Sequence, residues 1–143
     1  MKLAVLDPGV FVAGVFWRHE AHRCLKAWLH GLLAPVLTEA ILAEYEAVLE
    51  AVSRRHRFTT DTEPWLEAMR ESAVWVDGKV IGKKLCRDWR DAKFIEAAVA
   101  AKCQTIIACN PELTELDKPL GIDLYTPHEW LGTLTGRQRR LLD

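Results

Sequence analysis

The chain has 143 residues and half of them are hydrophobic, which is typical of a globular protein with a proper core and excludes a largely disordered one. Its 19 basic and 20 acidic residues leave a formal charge of -1, so any contact with nucleic acid must depend on a local patch. We therefore expect a single domain over residues 1–143.

The cysteines and the hydropathy pattern bear on the compartment. The four cysteines show no CxxC spacing, and no apolar run is long enough to span a bilayer. The start of the chain does not resemble a signal peptide. These features favour free thiols, a cytoplasmic location and no membrane partner.

The first third of the chain predicts two strands and a helix. The apolar run from Lys2 to Leu6 predicts a buried strand, which ends at Asp7-Pro8-Gly9. A second strand is predicted from Pro35 to Leu37. Between them, a helix is predicted from apolar residues at helical spacing: Leu25, Trp28, Leu29, Leu32 and Leu33. Gly31 and Pro35 break this pattern near its end.

Thr38 can cap the next helix, predicted from Ala40 to about Val52 and followed by the polar, basic stretch Ser53–Arg57. The remaining predicted elements are a helix from about Asp61 to Ser72, a strand at 74–76, a helix at 89–101 capped by Asp88, a strand at 105–109, a strand at 122–125 and a helix from Pro127 capped by Thr126. Arg137, Arg139 and Arg140 form a basic tail.

Strands that alternate with helices predict a three-layer α/β/α fold, with a central parallel sheet of about five strands covered by helices on both faces. Such sheets bind ligands at the carboxyl ends of their strands. The polar residues that follow each strand are therefore the candidates for function.

Several acidic and amide side chains follow these strands. Asp7 follows the first strand, and Asn110 and Glu112 follow the strand ending at Cys109, so a parallel sheet would bring them to one edge. An Asp before Pro-Gly is also a common turn or cap residue, and this alternative stays open.

Glu44 lies about 40° from Val48 around the predicted helix, on the border of its apolar stripe, where a carboxylate is costly unless something pairs with it. Asp91 lies in a first helical turn on the same face as Phe94 and Ile95. A border glutamate can also reach water or an arginine, and Asp91 can form a capping box with Asp88.

Three or four carboxylates that meet at one point repel each other unless a hard cation binds them. Oxygen-rich sites of this kind suit Mg²⁺ or Mn²⁺. A metal held there can activate water and offset charge on a phosphate, so the constellation indicates phosphodiester chemistry.

Taken together, these segments resemble the PIN-domain family, particularly the bacterial and archaeal branch of toxins from toxin–antitoxin pairs. The resemblance covers nearly the whole chain, and it depends on the order and spacing of five segments: Leu3-Ala4-Val5-Leu6-Asp7, Ile41-Leu42-Ala43-Glu44-Tyr45, Asp88 to Phe94, the strand with Asn110, and Tyr125-Thr126-Pro127.

The resemblance implies a metal-dependent endoribonuclease that cleaves RNA phosphodiester bonds. Asp7, Glu44 and Asp91 match the acids that hold Mg²⁺ or Mn²⁺ and carry catalysis, with Asn110 and Glu112 as further metal ligands. It also implies a small antitoxin partner and a homodimer. The basic residues expected to contact RNA phosphates are Arg54, Arg55 and Arg57.

The chain departs from the family pattern at two places. Pro8 and Gly9 replace the polar pair that usually follows the first acid, and Asn110 stands where the family normally has an Asp. A neutral amide attracts a cation less strongly than a carboxylate, so the resemblance implies a degenerate site with impaired activity.

Two other functions are weighed against the nuclease. A non-catalytic RNA-binding or protein-binding module could keep the PIN scaffold without the chemistry. A phosphoacceptor or phosphatase domain would also place an Asp after the first strand, but a dehalogenase-like site needs a second Asp at the position of Gly9. A receiver-type site would depend on Asp77.

Overall fold

The computed structural model of the chain describes residues 2–77, 92–109 and 121–143. Its strands are β1 (Lys2–Leu6), β2 (Leu33–Leu37), β3 (Val74–Trp75), β4 (Thr105–Ile107) and β5 (Asp123–Tyr125). Its helices are α1 (Pro8–Phe16), α2 (Glu20–Leu29), α3 (Glu39–His56), α4 (Glu63–Ser72), α5 (Ala92–Ala101), α6 (Pro127–Leu131) and α7 (Gly136–Arg140).

The described strands form one five-stranded parallel sheet in the order β3-β2-β1-β4-β5. The chain runs outward from β1 through β2 to β3, then returns to the other side of β1 at β4. The strand order therefore reverses between β1 and β4, where sheets of this class form a ligand crevice. The predicted three-layer α/β/α fold is confirmed.

The core lies between the sheet and its helices. All five residues of β2 are buried, as expected for a central strand covered on both faces. Helix α1 packs closely against α2 because of Gly14, where a Cβ would lie 2.6 Å from the Leu25 side chain and 2.9 Å from the carbonyl oxygen of Ala21. Neither of these helices, nor any other in the described ranges, is long and apolar enough to cross a bilayer.

Two helix caps were predicted correctly. The Thr38 hydroxyl accepts a hydrogen bond from the backbone N–H of Ile41, at 3.2 Å. Thr126 and Glu129 form a reciprocal capping box at the start of α6. Each cap satisfies backbone N–H groups that a helix leaves unpaired at its start.

The structure differs from the sequence prediction at one helix end and adds two helices. Helix α2 ends at Leu29, since Gly31 adopts a left-handed φ of +75° and Leu33 already belongs to β2. Helix α1 was not predicted, because the Pro8-Gly9 pair suggested a turn, although proline is well suited to the first helical position. The basic tail is partly helical, as α7.

Helix α3 is longer than predicted and continues through the basic stretch to His56. Basic residues in a last turn interact favourably with the helix dipole. Arg57 then takes a left-handed conformation, with φ 55°, and Phe58 folds back so that its ring stacks on Phe16. The backbone N–H of Phe58 donates to the carbonyl oxygen of Ser53 at 3.0 Å, so the helix ends in a local capping motif that the ring stacking accompanies.

Candidate active site at the carboxyl edge of the sheet

Asp7 lies at the end of β1, beside the reversal in strand order. Its backbone N–H donates to the carbonyl oxygen of Ile107 at 2.9 Å, which joins the ends of β1 and β4. Its own carbonyl oxygen accepts from Val10 and Phe11 and begins α1. The Asp7 carboxylate makes no capping hydrogen bond to this helix, and the residue is only 8% exposed. The cap interpretation therefore does not explain why an acid is buried here.

Tyr45 ties α3 to the same edge. Its hydroxyl donates to the carbonyl oxygen of Leu6 at 2.6 Å, so the residues next to Asp7 and Glu44 in the chain are in direct contact. Burial raises the pKa of Tyr45 well above its usual value, and the charges of Asp7 and then Glu44 raise it further. Both carboxylates thus act on one buried phenol.

Glu44 is half-buried and faces Lys93 from α5. The Lys93 ammonium lies 3.1 Å from Oε2 of Glu44, which is ion-pair distance. The same oxygen is inaccessible to solvent and has no hydrogen-bond partner among the described residues, because the short contact is poorly aligned for a hydrogen bond. The pair is therefore a Coulombic contact that leaves the hydrogen-bonding capacity of this oxygen unused.

Gly9 opens space beside the Asp7 carboxylate. A Cβ at this position would lie 3.0 Å from Oδ2 of Asp7 and 3.8 Å from the Cβ of Cys109. Cys109 is exposed, yet neighbouring atoms pack its thiol closely enough that burial raises its pKa, and the Asp7 charge raises it further. A side chain at position 9 would therefore press directly on the candidate site.

A family model described as PIN domain matches residues 4–111. The chain belongs to the PIN-domain family. The matched range contains Asp7, Glu44, Asp91 and Asn110. PIN domains have a nuclease-type fold, and they generally depend on divalent metal ions for their activity. No curated protein matches the chain.

Three of the predicted site residues of this PIN domain, Asp91, Asn110 and Glu112, lie outside the described residues, as does the predicted cap Asp88. In the ranges that the structure describes, no three His, Cys, Asp or Glu side chains form a group that could hold a metal ion. The complete constellation therefore stays a prediction.

Chain neighbours of two of these positions do lie at the site. Lys93, two residues after Asp91, contacts Glu44, and Cys109, the residue before Asn110, lies beside Asp7. Lys93 was missed by sequence reasoning, because no sequence pattern indicates where the end of its long side chain lies.

The predicted RNA-contacting arginines lie elsewhere on this PIN domain. Arg54 and Arg55 belong to the last turn of α3 and Arg57 follows it, and all three are exposed. Arg54 forms an exposed ion pair with Glu50. Arg54 stands ten positions after Glu44 in α3, about 15 Å along the helix axis, so these arginines are not part of the carboxylate site.

Proposed function

We propose that this PIN domain is a metal-dependent endoribonuclease of the toxin type, in which Asp7, Glu44 and Asp91 hold Mg²⁺ or Mn²⁺. The observation that carries the proposal is the Tyr45–Leu6 hydrogen bond, which brings the Asp7 and Glu44 backbones together at the carboxyl edge of the sheet. The position of Lys93 at Glu44 supports a third acid nearby, because Asp91 is only two residues away.

The donor set fits a hard divalent cation. Asp7 and Glu44 supply carboxylate oxygens, and one Glu44 oxygen is shielded from water and has no hydrogen-bond partner among the described residues. When bound, such an ion supplies an activated water and offsets charge on the scissile phosphate. The backbone hydrogen bonds of Asp7 fix its position between β1 and α1, and Lys93 balances the Glu44 charge.

We further propose that the site is weakened. Asn110 contributes at most a neutral carbonyl oxygen where the family has a carboxylate, and Glu112 is the acid nearest to it in the chain that could compensate. Gly9 offers Asp7 no polar support. Loss of support around a bound metal typically costs about 10- to 100-fold in affinity or activity.

The test is Asn110→Asp, which restores the fourth carboxylate. We expect tighter Mn²⁺ binding by calorimetry and faster metal-dependent cleavage of a fluorogenic single-stranded RNA. Asp7→Ala in the same background is the control, since it should abolish the gain and so excludes a contaminating ribonuclease. Wild-type protein that cleaves RNA efficiently, with no gain from Asn110→Asp, would show that the site is not weakened.

A non-catalytic PIN-fold module for RNA or protein is the second candidate. The Glu44–Lys93 ion pair favours it, because a lysine already supplies a cation to one of the proposed metal ligands. If neither the wild type nor Asn110→Asp binds Mn²⁺ in calorimetry, this candidate replaces the nuclease. Binding of either protein to Mn²⁺ together with RNA cleavage would exclude it.

The proposed toxin type also predicts a homodimer and a small antitoxin. Sedimentation equilibrium of the purified chain tests the dimer. A short reading frame immediately upstream, encoding a DNA-binding N-terminal segment, would supply the antitoxin. Co-expression followed by size-exclusion chromatography then tests their association.

A further inference from the structure

Four aromatic rings meet where the ends of α1 and α3 come together, and we call them the aromatic patch: Phe16, Trp17, His56 and Phe58. Phe58 stacks on Phe16 with ring centroids 4.8 Å apart, and on His56 with centroids 5.2 Å apart and planes 14° from parallel. Trp17 meets Phe58 edge-on at 5.5 Å. The rings therefore form a stacked group with Trp17 beside it.

The outer members of the patch face solvent. His56 is exposed and Trp17 is 36% exposed, whereas Phe16 and Phe58 are half-buried. The two phenylalanines hold α1 against the end of α3, which is a structural role. That role does not require a second pair of aromatic rings on the solvent side.

Cations flank these rings in the chain. Arg18 follows Trp17, Arg55 precedes His56, and Arg57 stands between His56 and Phe58. All three arginines are exposed, and none has a carboxylate partner in the part of the chain that the structure describes. In a protein with a formal charge of -1, this is a local concentration of positive charge.

Aromatic rings alternating with arginines suit a single-stranded nucleic acid better than a protein surface. Bases stack on the ring faces and phosphates pair with the guanidinium groups, whatever the base sequence. An apolar protein partner would instead leave three unpaired arginines at its margin, which is costly where they are desolvated. The charge complementarity therefore selects an anionic chain with stacking bases.

We propose that the aromatic patch is a base-stacking site for single-stranded RNA, remote from the carboxylates. This inference rests on the proposed ribonuclease function and adds a second RNA contact to it. His56 stands eleven positions after Tyr45, which lies beside the carboxylates, and so about 16 Å from it along the axis of α3. RNA bound at both places would extend along α3 from the patch to the carboxyl edge of the sheet.

Binding is measured in EDTA by fluorescence anisotropy with a labelled oligoadenylate of about ten nucleotides. Trp17→Ala and His56→Ala should each weaken binding by roughly 5- to 150-fold, the range found for removing one base-stacking ring. The matched control is Trp75→Ala on β3, since Trp75 is 40% exposed and distant in sequence. It should bind as the wild type does.

An abasic oligomer of the same length removes the bases and keeps the phosphates. We expect it to bind the wild type and Trp17→Ala equally, while Arg57→Gln lowers the salt dependence for both oligomers. His56 is exposed, so His56→Ala keeps the test valid if Trp17→Ala fails to fold. Equal binding of oligoadenylate by wild type, Trp17→Ala and His56→Ala would overturn the stacking site.

Separate readouts distinguish the two proposals. If oligoadenylate binding depends on Trp17 but neither the wild type nor Asn110→Asp cleaves RNA with Mn²⁺, the ribonuclease proposal fails and the stacking site stands. If RNA is cleaved and Trp17→Ala leaves KM unchanged, the stacking site fails. A Trp17→Ala variant that alters only the sedimentation mass would identify a protein interface instead and would also overturn it.

Discussion

Replacing Lys93 with Met tests the electrostatics of the candidate site. The change removes the ammonium that lies 3.1 Å from Oε2 of Glu44 and keeps most of the apolar side-chain stem. In the proposed metal-bound form, Glu44 must share its charge between Lys93 and a divalent ion. We therefore expect Lys93→Met to bind Mn²⁺ more tightly than the wild type.

The size of the effect follows from the geometry. A divalent ion would lie about 2 Å from a Glu44 oxygen, and so about 5 Å from the ammonium if the two cations approach from opposite sides. Repulsion between charges of +2 and +1 at about 5 Å costs about 1.7 kcal/mol in water-like surroundings, and about 1 kcal/mol after screening by physiological salt. The expected gain in affinity is thus about 5- to 20-fold.

The metal-free protein should respond in the opposite direction. Both side chains are about one-third exposed, at 28% and 32%, so losing the ion pair should cost no more than about 1 kcal/mol. Thermal melts with and without Mn²⁺ measure both effects: the variant should melt a few degrees lower without metal and gain more from metal than the wild type does.

Lys102→Met is the matched control, because it removes the same charge just beyond the far end of α5. It should leave the Mn²⁺ affinity unchanged within about twofold. If Lys93→Met binds Mn²⁺ no better than Lys102→Met does, Glu44 is not a metal ligand and the proposed site is wrong. Adding Glu44→Gln to Lys93→Met should cancel any gain.

Three further predictions concern the residues around this site. Tyr45→Phe removes the hydrogen bond to the buried Leu6 carbonyl group, so it should lower the free energy of unfolding, measured by urea titration, by about 1–3 kcal/mol. An unchanged free energy of unfolding would show that this bond does not hold α3 in place. The Asp7 charge contributes to the raised pKa of Cys109, so Asp7→Asn should speed the alkylation of Cys109 by iodoacetamide at pH 8. Peptide mass mapping measures the rate, and an unchanged rate would show that the Asp7 charge does not act on the Cys109 thiol. Burial raises the pKa of Cys24 to about 12 from an ordinary value of 9.0, so folding favours the neutral thiol. The resulting stability is complete below pH 9.0 and is lost as the pH rises towards 12, and Cys24→Ala should flatten this alkaline decline in the melting temperature.

Local patterns were sufficient to predict the sheet. Short apolar runs ended by turn residues predicted all five strands. The clearest case is β2, whose five residues are all buried, because a strand covered on both faces must be continuously hydrophobic. Thr38 and Thr126 were identified as caps because capping depends on residues only three apart. Alternation of strands and helices then predicted the parallel sheet, and with it the edge at which Asp7 lies.

Contacts between distant segments were decided by the tertiary structure. Sequence periodicity placed Glu44 on the border of an apolar stripe, but only the packing of α5 against α3 brings Lys93 to its carboxylate. The stacking of Phe58 on Phe16 likewise joins residues that are 42 positions apart in the chain. Helical propensity and periodicity describe a residue's own turn of backbone, whereas the position of a charge or a ring partner depends on how whole elements pack.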